Sequence, residues 1–283
     1  MKIGVYDPHY RHYGEQTYQK LKSYGFSCVD YSMANTDTAL YSCGDEAFRE
    51  KLLHDKKLVE EAGLEVSQVH GPWRWPPRDN TPEDLKERRE KMKRSIQGTA
   101  LLNCKYWVVH PIMPFGTNDK GTAQAKVTLD MNRTFMRELL KTSKQYDVTI
   151  CLENMPMPGF SIGSPSEILE FVKWMNDEHF KICLDTGHVA VYRDLSPADA
   201  MRMLGHEVQV LHIHDNNGMS DQHLFPYFGV IDWKDFGQAL KECQYTGTFS
   251  LETSPPTTLP ESIFEEMNIL LVKLAKEIIK AGK

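Results

Sequence analysis

Short apolar runs that end in an acidic or histidine side chain recur along this chain. Four of them follow one another in its second half, at residues 148–155, 180–188, 208–215 and 247–253. Because successive side chains of a strand point to opposite faces, Glu153 shares a face with Cys151, and Leu152 points the other way. The other three runs have the same division into an apolar face and a small or polar face. The pattern predicts strands that pack under helices on one face and carry chemistry at their carboxyl ends.

Four further strand-like runs occupy the first half, at residues 2–6, 26–33, 64–70 and 105–110. Apolar spacing and N-terminal signals such as Thr81-Pro82 and Ser164-Pro165 predict helices between the strands. The predicted helices cover residues 14–24, 45–62, 81–102, 121–146, 164–175, 196–205, 232–243 and 259–280. Eight alternating units at this length predict an α/β fold, a (β/α)8 TIM barrel with residues 1–283 as one domain, because only a closed barrel brings all strand ends to one rim.

Composition narrows the class of protein. The formal net charge of -6 at pH 7 gives no electrostatic reason to expect a nucleic-acid partner. The six cysteines include no CxxC pair, and this pattern indicates buried thiols in a reducing compartment. The N-terminus leads directly into a predicted strand, and no apolar run approaches the roughly 18 residues of a membrane span. We therefore expect a cytoplasmic protein that has no membrane partner.

Nine candidate functional residues stand at strand ends or in the loops just after them: His70, His110, Glu153, Asp185, His188, His212, Asp221, His223 and Glu252. Several carboxylates at one barrel mouth would cost several kcal/mol for each unpaired charge unless a cation neutralised them. A site that mixes imidazole and carboxylate ligands suits Mn²⁺, Zn²⁺, Co²⁺ or Fe²⁺. An all-oxygen site would instead be typical of Mg²⁺ or Ca²⁺. The sequence predicts a divalent metal ion, with Mn²⁺ preferred and Zn²⁺, Co²⁺ and Mg²⁺ as alternatives.

Five motifs occur in a specific order: CLEN at Glu153, CLDTGH at Asp185, LHIHDN at His212, DQH at Asp221 followed by GVIDW, and SLET at Glu252. In this order they resemble the xylose-isomerase-like TIM barrel superfamily. That superfamily holds sugar isomerases and epimerases, inosose dehydratases and endonuclease-IV-like AP endonucleases. The resemblance covers most of the chain and implies the fold more strongly than the substrate, because these branches share the motifs.

Similarity to the ketose epimerases implies that Glu153, Asp185, His212 and Glu252 hold one metal. The metal would polarise a substrate carbonyl and stabilise the enediolate that forms on deprotonation. Glu153 and Glu252 would lie on opposite sides of the substrate, one removing the proton and the other returning it. By the same resemblance, His188 hydrogen-bonds a substrate oxygen.

The resemblance leaves other positions open. AP endonucleases hold three zinc ions with residues that match all nine positions, so the metal count is open. For His70, His110, Asp221 and His223 we favour contacts with substrate hydroxyl groups over further metal ligation. His214 stands where relatives often have lysine, and we place it among the substrate-binding residues with its detailed role open.

An aromatic and basic loop follows His70. Trp73, Arg74, Trp75 and Arg78 can form a lid, with an indole against a sugar face and an arginine toward an anionic or polyhydroxy group. The alternative is that the tryptophans cap the barrel rim or meet a partner subunit.

The sequence thus predicts a metal-dependent sugar isomerase or epimerase that acts through a metal-bound enediolate on a small sugar or sugar derivative. The nearest alternative is a lyase of the inosose dehydratase type, which would remove the same proton and then expel a β-substituent. A metal-dependent AP endonuclease and a catalytically idle sugar-binding barrel are the alternatives of other classes. The substrate, its phosphorylation and the subunit count stay open, a homo-oligomer included.

Overall fold

The computed structural model describes residues 1–74, 76–77 and 79–281. Its sheet consists of eight parallel strands in the order β7-β6-β5-β4-β3-β2-β1-β8. The strands are β1 Ile3–Tyr6, β2 Cys28–Ser32, β3 Glu65–His70, β4 Tyr106–Val109, β5 Thr149–Glu153, β6 Phe180–Asp185, β7 Val208–His212 and β8 Phe249–Leu251. The sheet closes where the Ile213 N–H donates to the Ser250 carbonyl oxygen at 2.8 Å and the Glu252 N–H donates to Ile213 at 3.0 Å. The predicted (β/α)8 barrel is confirmed.

The long helices lie outside the barrel and alternate with the strands, and the short helix Thr186–Ala190 lies at the barrel mouth. They are α1 Thr17–Tyr24, α2 Ala39–Ser42, α3 Asp45–Glu61, α4 Pro82–Leu101, α5 Gln124–Gln145, α6 Pro165–Met175, α7 Thr186–Ala190, α8 Pro197–Leu204, α9 Trp233–Glu242 and α10 Glu261–Ala281. The prediction of one helix over 14–24 was wrong at its start, since Asp7–Gln16 forms 3-10 turns that a kink at Gly14 interrupts, and α1 begins only at Thr17. The short helices α2 and α7 were not predicted. Within the described part of the chain, no helix combines the length and apolar character needed to cross a bilayer.

Strand alternation divides the buried side chains into two groups. Ile150 and Leu152 join the large core between the sheet and the helices. Cys151 belongs to a separate small cluster with Val108, Cys183 and Val210 inside the barrel. The interior beneath the carboxyl ends of the strands is therefore filled with small and medium apolar groups, which support the polar side chains above them.

Two register shifts bring polar side chains together across the sheet. Between β6 and β7 the pairing shifts after Ile182, and Asp185 then stands beside His212. Between β2 and β3 it shifts after Val29, so Asp30 stands beside Gln68. An extra residue in one strand redirects the side chains beyond it, and such bulges recur next to active sites.

Helix caps follow the sequence signals. Ser164 accepts a hydrogen bond from the Glu167 N–H, and the Glu167 side chain accepts one from the Ser164 N–H, which together form a capping box at the start of α6. The Thr81 side chain accepts the Asp84 N–H at the start of α4, and the Asp232 side chain accepts the N–H groups of Lys234 and Asp235 at the start of α9. These caps fix where each chain segment leaves the barrel rim.

Replacing Ser164 with alanine should lower the thermal stability of the protein. The substitution removes the hydroxyl group that accepts the Glu167 N–H at the start of α6, and loss of such a cap costs about 1 kcal/mol. In a protein of this size we expect Tm to fall by about 2 °C in differential scanning calorimetry. Ser166→Ala is the matched control, because Ser166 is exposed on the same helical turn. Equal Tm values for the two variants would contradict the role of the cap.

Candidate metal centre

Four side chains from consecutive strands converge at the carboxyl end of the barrel. Glu153, Asp185 and His212 are the last residues of β5, β6 and β7, and Glu252 directly follows β8. Each is buried, and each offers one ligand atom within 4.8 Å of the others. Strands placed far apart along the chain therefore bring three carboxylates and one imidazole to the same point.

The imidazole of His212 lies at the centre of this group. Its Nδ1 is 3.0 Å from Glu153 Oε1 and 3.2 Å from Glu252 Oε2. Its Nε2 donates a hydrogen bond to Asp30 Oδ2 at 2.9 Å on the opposite edge of the ring. One nitrogen of His212 thus faces two catalytic candidates, and the other faces a carboxylate below them.

The charges and hydrogen bonds of these groups fit a divalent cation. Glu252 Oε2 is buried and accepts no hydrogen bond among the described residues. Burial raises the pKa of Glu252, and the carboxylates of Glu153 and Asp185 add to the shift against the effect of His212 and His223. A cation between the carboxylates would complete the coordination of Glu252 and offset their repulsion. Three carboxylates and an imidazole suit Mn²⁺, Zn²⁺ or Co²⁺.

Two histidines flank the other side of Glu153. His110 Nε2 donates to Glu153 Oε2 at 3.0 Å, and His70 Nε2 lies 3.7 Å from the same oxygen. Burial opposes ionisation of Glu153, but His212 and His110 outweigh it and hold the pKa of Glu153 well below its usual range. Burial and the neighbouring His110 lower the pKa of His70. Glu153 is therefore held as a carboxylate by imidazole neighbours.

Asp185 is oriented through both of its oxygens. Oδ1 accepts a hydrogen bond from the backbone N–H of His188 at 2.6 Å, and Oδ2 accepts one from His214 Nε2 at 3.0 Å. Asn154 fixes the strand end, since its side chain pairs with both backbone groups of Asp185. Burial opposes ionisation of Asp185, yet His188 and His214 keep its pKa below the usual value.

His214 is buried behind this ligand set. A side-chain carbon added at Gly187 would come within 2.0 Å of its ring, so the glycine makes room for the imidazole. The ring of His214 also stacks on that of His223, with centroids 4.1 Å apart. His214 therefore connects Asp185 to the outer part of the site rather than facing solvent.

An outer cluster centres on Asp221. His188 Nε2 and His223 Nε2 lie 3.3 Å and 3.2 Å from Asp221 Oδ2. Burial lowers the pKa of His188 and of His223, but nearby carboxylates outweigh burial and raise these values to about 10 and about 9. Asp221 itself has a strongly lowered pKa because hydrogen bonds from the two histidines outweigh its burial.

Asp215 anchors the loop that carries this outer cluster. Its Oδ2 accepts a hydrogen bond from Trp233 Nε1 at 2.8 Å, and its Oδ1 accepts one from the backbone N–H of Ile231 at 3.2 Å. The residues after LHIHD are thus tied to the GVIDW segment. The anchored loop holds Asp221 and His223 over the barrel mouth.

The aromatic and basic loop is divided between the rim and the outside of the barrel. The ring of Trp73 lies 5.1 Å from that of His110, and Trp73 is 37% exposed. Arg74 forms ion pairs with Asp84 and Glu87 on α4. Trp75 and Arg78, the other two residues of the predicted lid, lie outside the described residues.

Sequence reasoning missed several residues that contact the ligand set. Asp30 and Gln68 lie inside the barrel below His212, and Asn154 holds Asp185. The available signal was a single acidic residue within the otherwise apolar and small run of β2. A lone charge in a buried strand needs a partner, and this requirement pointed to a site at Asp30.

Known proteins are similar to this chain in sequence. An uncharacterised protein of Methanocaldococcus jannaschii is 30% identical over 192 residues, which cover 65% of this chain and 63% of that protein, slightly less than two thirds of its length. A D-psicose 3-epimerase of Enterocloster bolteae is 26% identical over 271 residues, which cover 89% of this chain and 82% of the relative.

Solved structures show the same fold. The crystal structure of the IolI protein with a bound zinc atom superposes with a TM-score of 0.76 at 16% identity, over 100% of this chain and 99% of that chain. At that identity the likeness establishes the fold alone. A sequence model of the family described as xylose isomerase-like TIM barrel matches residues 18–271. With nearly the whole barrel matched, the chain belongs to the xylose isomerase-like TIM barrel family.

Proposed function

We propose that this protein is a metal-dependent sugar isomerase or epimerase that moves a proton at a carbon next to a carbonyl. The observation that carries the proposal is the placement of two carboxylates around one imidazole nitrogen. Glu153 Oε1 and Glu252 Oε2 lie 3.0 Å and 3.2 Å from His212 Nδ1, and they reach it from β5 and from the end of β8. Two carboxylates at one point can take a proton from one face of a substrate and return it on the other.

A divalent ion held by Glu153, Asp185, His212 and Glu252 would polarise the carbonyl and so acidify the adjacent C–H bond. Glu153 suits the role of base, because imidazole neighbours keep it ionised. Burial raises the pKa of Glu252, so this carboxyl group can hold a proton and return it to a substrate. Reprotonation on the opposite face inverts the carbon, and reprotonation at the neighbouring carbon moves the carbonyl.

Imidazole rings around the two glutamates suit a polyhydroxy substrate, because ring nitrogens can donate to or accept from hydroxyl groups. His70 and His110 lie on one side of Glu153, and His188 lies on the other, with Nδ1 3.5 Å from Glu153 Oε1. The indole of Trp73 stands beside His110 at the rim and offers an apolar face to a sugar ring. Relatives named D-psicose 3-epimerase support the same substrate class, a small ketose or keto sugar derivative.

A lyase of the inosose dehydratase type is the second candidate. The observation that favours it is the His188–Asp221–His223 cluster beside Glu153, which can deliver a proton to a departing hydroxyl group. The two reactions share proton removal and differ in product. Mass spectrometry separates them, because epimerisation conserves the substrate mass and elimination of water lowers it.

Replacing Glu153 or Glu252 with glutamine should abolish turnover. A glutamine amide has the same shape but cannot accept the proton, and general acid–base catalysis contributes about 10²–10⁴-fold to such rates. Incubation with ketoses, ketose phosphates and inososes in deuterium oxide, followed by NMR, measures exchange at the carbon next to the carbonyl. We expect exchange in the wild type and its loss in both variants, with reduced metal content and an intact fold.

Glu170→Gln is the matched control for these variants, since Glu170 is an exposed glutamate on α6. It should exchange as fast as the wild type. Near-normal exchange in Glu153→Gln or Glu252→Gln would contradict the two-carboxylate mechanism. Cleavage of abasic duplex DNA by the wild type at a useful rate would overturn the sugar assignment itself.

Removing divalent ions should destabilise the barrel, because the three buried carboxylates then repel one another. An ion present at one hundred times its Kd stabilises the folded state by about 2.7 kcal/mol, which corresponds to a rise in Tm of about 5 °C or more. We expect chelation to lower Tm and Mn²⁺, Zn²⁺ or Co²⁺ to restore it. In the Asp185→Asn variant, adding the same ions should raise Tm much less. A Tm that is the same with and without each ion would argue against the metal site.

A further inference from the structure

A buried carboxylate lies directly below the candidate metal centre. Asp30 stands in the middle of β2 and has no exposed surface (0%). Its Oδ2 accepts a hydrogen bond from His212 Nε2 at 2.9 Å. The other ring nitrogen of His212 points the opposite way, toward Glu153 and Glu252. Asp30 therefore contacts the candidate ligand set through the far edge of the histidine ring.

Gln68 holds Asp30 in this orientation. Its Nε2 donates to Asp30 Oδ2 at 2.9 Å and to the carbonyl oxygen of Leu211 at 3.2 Å. The register shift between β2 and β3 places Gln68 beside Asp30, where regular pairing would place Ser67. The same carboxylate oxygen thus receives one N–H from Gln68 and one from His212, which fixes its position in the barrel interior.

The remaining hydrogen bonds of Asp30 are incomplete. Its Oδ1 is buried and has no hydrogen-bond partner among the described residues, and the same holds for Gln68 Oε1. A buried acceptor without a partner costs about 1–3 kcal/mol, and more when it is charged. A role in packing alone does not account for that cost, because an apolar side chain of similar size would avoid it. This cost points to a functional role for a carboxylate that faces His212.

The chemistry of imidazole indicates what this role is. A neutral imidazole carries one N–H, and a metal binds at the nitrogen that has the free lone pair. When Nε2–H donates to Asp30, the lone pair is at Nδ1, the nitrogen that faces Glu153 and Glu252. A carboxylate on the far nitrogen of a ligating histidine also limits rotation of the ring and strengthens it as a ligand.

We propose that Asp30, held by Gln68, is a positioning residue that keeps His212 in the tautomer and orientation needed to bind a divalent ion through Nδ1. This inference rests on the proposed function, since it presupposes the metal centre. It assigns a role to a strand, β2, that supplies no ligand of its own. Asp30 governs the affinity of the site for the metal ion, and turnover changes only as a consequence.

Asp30→Asn tests the role with little change in volume. The amide oxygen can still accept from Nε2–H but lacks the negative charge, and loss of such a partner costs about 10–100-fold in metal affinity. We expect the Kd for Mn²⁺ and for Zn²⁺, measured by calorimetric titration of the metal-free protein, to rise by at least about tenfold. In the Zn²⁺-loaded wild type, NMR of ¹⁵N-labelled histidine should show His212 with its proton on Nε2.

Asp55→Asn is the matched control. Asp55 is also a buried aspartate beside β2, and it accepts hydrogen bonds from Tyr31 and Lys51 on the outer side of the sheet. This variant should lose thermal stability and keep the wild-type Kd for both ions. If Asp30→Asn fails to fold, Gln68→Met replaces it, because it removes the donor that holds Asp30 and should weaken metal binding to a smaller extent.

The outcomes separate the two proposals. A wild-type protein that binds neither Mn²⁺ nor Zn²⁺ would overturn the metal centre and this inference together. Binding and proton exchange by the wild type, combined with a Kd within twofold of wild type in Asp30→Asn, would overturn the positioning role and leave the proposed function intact. The same holds for Gln68→Met if that variant is used. Proton NMR signals that place the His212 proton on Nδ1 in the Zn²⁺-loaded wild type would also contradict the inference.

Discussion

The repulsion between buried carboxylates at one end of the barrel is the constraint on which the rest of the site depends. Glu153, Asp185 and Glu252 are all removed from water around one imidazole. Isolated charges in such surroundings cost several kcal/mol each, so the arrangement is stable only with compensating partners. Histidine neighbours supply part of the compensation at Glu153 and Asp185. One oxygen of Glu252 has no hydrogen-bond partner among the described residues. A cation is the simplest group that could serve as a partner for this oxygen.

The barrel meets this constraint with backbone geometry as well as with charge. A register shift in β6–β7 sets Asp185 beside His212, and another in β2–β3 sets Gln68 beside Asp30. The small side chains of Cys151 and Cys183 fill the interior below and leave room for the imidazole ring. The polar groups are thus fixed from the sides and from below, and the loop that carries Asp221 lies above them. Rigid support of this kind is what proton transfer at a fixed distance requires.

Much of the fold could be predicted from local patterns, because strand alternation and helix caps leave clear marks in the sequence. The runs that end in Glu153, Asp185 and His212 showed both the strands and the rim at which they meet. The 3-10 helix Asp7–Gln16 could not be found this way, since its residues have no apolar period and its hydrogen bonds are set by tertiary neighbours such as Ser32. The pairing of Gln68 with Asp30 depends on a register shift, which a single sequence does not reveal. The sequence also did not reveal the partner of Arg74, because only the structure shows its ion pair with Asp84 on α4.

The site therefore depends both on the chemistry of its side chains and on the register of its strands. The most direct test of its central claim is anomalous diffraction from crystals grown with excess Mn²⁺, measured at the manganese absorption edge. We predict a peak at coordination distance, about 2.0–2.3 Å, from His212 Nδ1 and from one oxygen each of Glu153, Asp185 and Glu252. Crystals of the folded protein in saturating Mn²⁺ that show no anomalous peak between these four side chains would contradict the account.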